Sequence, residues 1–359
     1  MKNAALVLFL AAASAATAAL AATDGDAPSA RPQTAARFRG GMLAGNVDAI
    51  KEDDFATLET WGANLVRFQT PRGWSKPRYW ASNDDYDAYI GHALDILQNK
   101  VLPWAEAHGQ KVVMDLHATP GSRNENKENL IFHEKRYADH FVETWRRIAE
   151  RFKGDRRIFG YDLVNEPLLN AKDAPYSVMG LQLEAARAIR AIDPDATIIV
   201  EVNNWDGPGS FRGLEPLPLD NVIYQVHCYH PMPFTHQGVS TGNRERLNVW
   251  PDPEKGWNRD FLLENLKPVR DFQLRTGAKI YVGEFSAISW APGAENYLRD
   301  CIGIFEEYGW DWSYHAFREW DGWSVEKTWT AREGDRDIFV PDPDTPRRRA
   351  LLEGFHRGQ

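Results

Sequence analysis

A (β/α)8 barrel is the fold class this sequence predicts, and three observations predict it. Eight short runs rich in Val, Ile, Tyr, Phe and Trp recur along the chain, and segments with apolar residues at helical spacing separate most of them. The alternation fills about 320 residues, inside the range of roughly 200 to over 400 that this architecture occupies. Polar residues gather at the C-terminal ends of the runs: Arg67, His117, Asn165, Glu166, His227, Tyr229 and Glu284. Barrels of this kind build their sites at that end. A doubly wound open sheet is the competing fold. It calls for a Gly-x-Gly-x-x-Gly turn after the first strand, and Gly40, Gly41 and Gly45 do not have that spacing.

Each element has its own signal. The first strand covers residues 38–46, and residues 49–61 follow with Ile50, Phe55, Leu58 and Trp61 at helical spacing. Residues 64–70 read as the second strand. A long helix over residues 86–107 carries Tyr89, Ala93, Leu94, Ile96, Leu97 and Val101 on one side. The third strand is 111–118 and the next helix 137–152. Residues 158–167 form the fourth strand, apolar and aromatic until Pro167 stops it. Helix 181–192 leads to strand 197–205, and strand 221–229 comes next. Helix 261–274, strand 280–285, helix 297–308, strand 310–317 and a closing helix 347–355 complete the order. The longest irregular stretches, 231–257 and 324–346, both follow strands and so rise from the same face. Loops of that length are unusual unless they bind something or move.

The chain ahead of the barrel reads differently. Met1-Lys2-Asn3, an apolar run from Ala4 to Ala13 and the small-x-small triplet Ala19-Leu20-Ala21 have the layout of a secretory signal peptide over residues 1–21. Residues 22–36 are small, polar and proline-containing, a disordered lead-in. Residues 37–359 then form one catalytic domain. This predicts a secreted or periplasmic monomer with no membrane partner once the signal is cleaved. Of 359 residues, 43% are hydrophobic and 26% charged, an ordinary globular balance. The net charge of −9 argues against a nucleic-acid partner. Two cysteines, Cys228 on a strand and Cys301 on a helix, are expected as buried thiols. His227, Cys228 and His230 lie on one extended run whose alternate residues face opposite sides, so no metal site is expected there, and no cofactor is implied.

Two strands end on a glutamate: Asn165-Glu166-Pro167 closes one and Gly283-Glu284-Phe285 the other. A carboxylate at the end of an apolar strand is costly without partners or a task. Paired carboxyls on one face are what glycosidic bond cleavage requires. One must carry a proton to the leaving oxygen while the other stays ionised to attack the anomeric carbon. Arg67 is the cation that keeps Glu284 ionised, and Tyr229 can donate to the same carboxylate. Asn165 can bond the sugar 2-hydroxyl, and His117 and His227 can bond other hydroxyls and the surroundings of Glu166. The competing role for Arg67 is ion pairing with Asp162 or Glu201, and for His117 a satisfied core histidine. Asp115, Asp162 and Glu201 read as supporting polar positions. Strict alternation sends Asn165 and Glu166 to opposite faces, so a bulge or broken ladder is expected between them.

The ordered set, each member on its own strand, resembles glycoside hydrolase family 5, the cellulase-like branch of the clan A barrels, from about Arg37 to the end. The resemblance implies Glu166 as acid/base, Glu284 as nucleophile, and hydrolysis of a β-linked oligo- or polysaccharide with retention, most nearly as an endo-β-glucanase. A β-mannanase, an exo-acting β-glycosidase, a metal-dependent hydrolase on the same fold and a non-catalytic sugar-binding barrel are the alternatives. The family commonly has a tryptophan platform at the end of strand eight, where this chain has His315. Trp320 and Trp323 follow on the loop, and the expectation is that Trp320 supplies the platform while Trp323 lines a neighbouring subsite. The 14 tryptophans suit stacking on pyranose faces as well as core filling.

Overall fold

The computed structural model describes residues 37–70 and 83–357. The expected signal peptide and lead-in lie outside them. Eight parallel strands close into a barrel in sequential order: β1 Arg39–Met42, β2 Leu65–Gln69, β3 Lys111–Asp115, β4 Ile158–Asp162, β5 Ile198–Glu201, β6 Val222–Cys228, β7 Lys279–Phe285 and β8 Asp311–Tyr314. Pairing of Arg39 with Trp312 and Gly41 with Tyr314 completes the ring. The predicted fold class is therefore the observed one. No helix among the described residues is long and apolar enough to cross a membrane.

The strands are shorter at their C-terminal ends than the apolar runs suggested. The ladder stops at Asp115 and Asp162, and residues 116–118 and 163–167 continue as loop while staying mostly buried. The expected long helix begins at Asn83 and passes through a π turn, Leu97–Val101, before Leu102–Ala107. Pro103 cannot donate to the carbonyl four residues back, and the helix widens directly upstream of it. One expectation is corrected. Residues 324–346 are not irregular but carry an antiparallel hairpin, β9 Lys327–Glu333 and β10 Arg336–Pro341. Its side chains are all half-buried or exposed, so its apolar signal is weak.

Alternation along the strands layers the barrel interior. Leu65, Val113, Ile199, Ile223 and Tyr281 form an apolar layer, with Phe38 and Phe159 packed against it. Two residues further along the same strands stand Arg67, Asp115, Glu201 and Gln225, all fully buried. A polar layer thus sits on an apolar floor, and the strand-end residues sit above it. A second, much larger core lies between the barrel and its helices, and includes Trp145, Phe141, Phe272 and Trp312.

Candidate active site

Arg67 is the hub of the polar layer. Its Nη1 donates to Glu284 Oε1 at 2.6 Å and its Nη2 to Asp162 Oδ2 at 2.8 Å, Glu201 Oε1 at 3.0 Å and Asn165 Oδ1 at 3.0 Å. Asp115 Oδ2 lies 3.3 Å from the same nitrogen. Both roles foreseen for Arg67 are therefore filled by one side chain. A fixed fork of donors makes this possible where a lysine's single ammonium could not.

Glu284 is held from two sides, by Arg67 and by the Tyr229 hydroxyl, which donates to Oε2 at 2.8 Å. Burial pushes its carboxyl up, but His227, His315, Arg67 and His117 outweigh this and hold it well below the usual carboxylate range. Local geometry explains the glycine before it. The β6–β7 register slips between Val226 and His227, leaving Gly283 as the extra residue and setting Glu284 opposite His227. A Cβ at Gly283 would lie 2.4 Å from the Gln225 amide carbon. A side chain there would push the Gln225 amide away from Glu201 and His227.

Glu166 lies past the end of β4. The ladder is broken there as expected, and Glu166 has φ 48°, the left-handed region that side chains enter at a cost. That turn brings it round to the side of Asn165. Its Oε1 is 3.0 Å from His227 Nδ1, and its side chain is 20% exposed against 6% for Glu284, so it is the more open of the two. Burial raises its carboxyl, yet the hydrogen bond and charge of His227 bring it below the ordinary value; the charge of Glu284 works the other way. One carboxylate oxygen each from Glu166 and Glu284 and a ring nitrogen of His227 lie within 4.8 Å of one another. These atoms could hold a cation, but Arg67, Tyr229 and the Glu166–His227 pairing already engage them.

The remaining predicted residues converge on the same place. His117 Nδ1 is 2.7 Å from Asp115 Oδ2, and its Nε2 is 3.3 Å from Asn165 Nδ2, so it bridges the polar layer and the site. His315 Nε2 is 3.2 Å from Glu319 Oε2, and its ring lies 6.1 Å from that of Tyr229. The two loop tryptophans fall in the opposite order to the expected one. Trp323 packs against Tyr229 at 6.5 Å and His315 at 5.5 Å and is 6% exposed. Trp320 stands one ring further out, 5.9 Å from Trp323 and 37% exposed. The backbone explains this: the Trp323 N–H bonds the Trp320 carbonyl at 2.9 Å, a tight turn that folds the later residue inward.

Sequence reasoning missed Gln225, Arg123, Trp205 and His236. Gln225 Nε2 donates to Glu201 Oε1 and lies 3.3 Å from His227 Nε2. Its position two residues before His227 on one strand was the available signal. Arg123 donates to the Glu166 carbonyl at 2.8 Å and stacks over Trp205 at 4.6 Å. His236 packs on Tyr229 and Trp323, and burial pushes its imidazole down to about 4. Arg123 and His236 lie outside any predicted element, and Trp205, read from the sequence as the end of strand 197–205, sits instead on the kinked turn Asn203–Asp206 past the end of β5.

The family model described as Cellulase (glycosyl hydrolase family 5) matches residues 31–321. Endoglucanase C of Acetivibrio thermocellus is 26% identical over 298 residues, which cover 74% of this chain and 84% of that one. Thermotoga maritima Cel5A, solved with cellobiose and with mannotriose, superposes with TM-scores of 0.65 and 0.66 at 23% identity. Both superpositions span 89% of this chain and 97% of that one, a likeness of fold.

Proposed function

The chain belongs to glycosyl hydrolase family 5, and we propose that it is a retaining, endo-acting β-glucanase with Glu284 as nucleophile and Glu166 as acid/base. As a family member it is a glycoside hydrolase; the stereochemistry, the residue roles and the glucan are the proposal. One observation carries it: one carboxylate oxygen of Glu166 and one of Glu284 lie within 4.8 Å of each other, and the same His227 Nδ1 stands 3.0 Å from Glu166 Oε1 and 3.8 Å from Glu284 Oε2. Retaining pairs stand about 5–5.5 Å apart, while inverting pairs need roughly 6.5–9.5 Å to admit a water.

The division of labour follows from the partners. Glu284, gripped by Arg67 and Tyr229, stays ionised and forms the bond to the anomeric carbon as the glycosidic C–O bond breaks. Glu166 in its protonated form, hydrogen-bonded to His227, gives its proton to the departing oxygen and is left as the carboxylate. Bond formation neutralises Glu284, and Glu166 then takes a proton from the water that releases the sugar. Asn165, its Oδ1 on Arg67, is oriented for the 2-hydroxyl. Glucan and endo action are supported by the name of the Acetivibrio relative, an endoglucanase. Mannan is the second reading, favoured by the mannotriose bound to the Thermotoga protein. We also infer export as a secreted or periplasmic enzyme, from the residue pattern of 1–21.

The test is hydrolysis of barley β-glucan, carboxymethylcellulose, glucomannan and mannan, with the first-formed anomer read by proton NMR. Rapid viscosity loss on a glucan with β-anomer appearing first is the expected result. The α-anomer appearing first overturns retention, and preference for mannan overturns the substrate. In Glu284→Ala, azide should restore turnover as the α-glycosyl azide; no rescue would remove Glu284 from the nucleophile role.

A further inference from the structure

Glu201 closes β5, is fully buried, and has no part in the steps above. Its two oxygens face different catalytic groups. Oε2 accepts the backbone N–H of Glu166 at 2.6 Å. Oε1 accepts Arg67 Nη2 at 3.0 Å and the Gln225 amide. Its own backbone is fixed in turn. Gln182, fully buried on the helix Val178–Ile192, accepts the Glu201 N–H at 3.0 Å and donates to its carbonyl at 2.8 Å.

We propose that Glu201 is a positioning residue for the acid/base, pinning the left-handed Glu166 backbone and tying it to the arginine that holds the nucleophile. The proposal rests on the roles given above to Glu166 and Glu284. A buried N–H must find an acceptor, and a residue at φ 48° no longer presents its N–H to the β4 ladder. The carboxylate supplies that acceptor from the neighbouring strand, while Arg123 bonds the carbonyl of the same residue at 2.8 Å. The path Glu284–Arg67–Glu201–Glu166 then consists of three hydrogen bonds of 2.6, 3.0 and 2.6 Å; burial, Asp162 and Asp206 push the Glu201 carboxyl up, and the Arg67 charge works the other way. This path sets the separation of the two carboxyls without touching sugar.

A glutamine at this position can serve only one side. With its carbonyl towards the Glu166 N–H, its amide hydrogens meet those of Arg67; turned round, they meet the Glu166 N–H. Two donors, the Arg67 guanidinium and the Gln225 amide, converge on Oε1, so the glutamine carbonyl turns to that side, and Glu201→Gln keeps the shape while breaking the link to Glu166. Because the damage falls on proton delivery, it should depend on the leaving group. On β-glucan, kcat should fall by about 100-fold or more, the scale of general acid catalysis. On 2,4-dinitrophenyl β-cellobioside, whose leaving group needs no proton, the first-step rate should stay within about threefold of wild type, because the nucleophile is intact. Glu201→Asp, which keeps the charge near Arg67 but withdraws the acceptor from Glu166, should show the same split and stands in if the glutamine variant does not fold. Equal losses on both substrates, or no loss on either, in the folded variant overturn the proposal. Glu166→Ala separates the two readings. If it lacks the leaving-group split, the acid/base assignment has failed; if it has the split and the Glu201 variants do not, only the positioning role has failed.

Discussion

His315 stands where the family pattern led us to expect a tryptophan, and its imidazole brings charge instead of a π-face. It contributes to holding Glu284 below the usual carboxylate range, beside His227 and Arg67. The direction sets a pH dependence. A carboxyl whose folded value is depressed contributes stability above its unfolded value, and that contribution disappears as pH falls through the folded value. Activity through an ionised Glu284 disappears in the same window, below about 4.3, the unperturbed glutamate value. His315→Gln keeps a donor for Glu319 but removes the charge. The acid limb of kcat/KM should then move to higher pH while the alkaline limb stays in place. An unmoved acid limb would mean that His315 does not act on Glu284.

At the scale of the strand, alternation explains what was legible and what was not. Arg67, His117, His227, Tyr229 and the two glutamates stand at strand ends, and apolar runs that end on polar residues are visible in one dimension. Glu201 was visible too, but only the fold shows that it faces Glu166 across the β4–β5 gap. A break was expected between Asn165 and Glu166; β4 already ends at Asp162 and Glu166 turns into the left-handed region beyond it, while a register slip occurs at Gly283 in β7, where no alternation argument pointed. The hairpin β9–β10 stayed hidden because neither of its strands has a buried face. Strand starts make a separate prediction. Asp311 opens β8 and accepts the Phe38 N–H at 2.9 Å, while burial holds its carboxyl up at about 6. A folded value above the unfolded one means that ionised Asp311 costs stability at neutral pH, a cost absent once pH falls below both values. Asp311→Asn keeps the acceptor and cannot ionise. It should stabilise the fold by up to about 2–3 kcal/mol at neutral pH, by the conversion of pKa shift to free energy. That gain should shrink as pH falls from about 6 and vanish below about 3.9. Urea unfolding at both ends of that window checks it, and a gain independent of pH would place the cause elsewhere.

Across the whole molecule, the two long loops are one wall. Arg244, on the loop after β6, donates to Asp337 on the hairpin at 3.0 Å and lies 3.5 Å over the ring of Trp290. Trp290 donates to the Gln237 carbonyl at 2.8 Å and meets Trp329 of the hairpin at 6.2 Å. From Glu284 an unbroken line of rings runs outward along this wall: Tyr229, then Trp323 at 6.5 Å, Trp320 at 5.9 Å and Trp290 at 6.0 Å. Position on that line predicts which sugars each ring serves. Trp323, packed on the hydrogen-bond partner of Glu284, should bear on the sugar at the point of cleavage. Trp320, more exposed and one ring further out, meets sugar only when the substrate extends that far. Loss of a stacking indole costs about 1–3 kcal/mol, by analogy with other aromatic contacts. Trp320→Ala should therefore lower kcat/KM on β-glucan by about tenfold while leaving 2,4-dinitrophenyl β-cellobioside nearly unaffected. Trp323→Ala should lower both. Arg244→Gln loosens the wall without removing a ring, and should reproduce the Trp320→Ala pattern in weaker form. If Trp320→Ala acts equally on the short and the long substrate, the ring is reached by the cleaved sugar itself, and the inner-to-outer order along the wall is wrong.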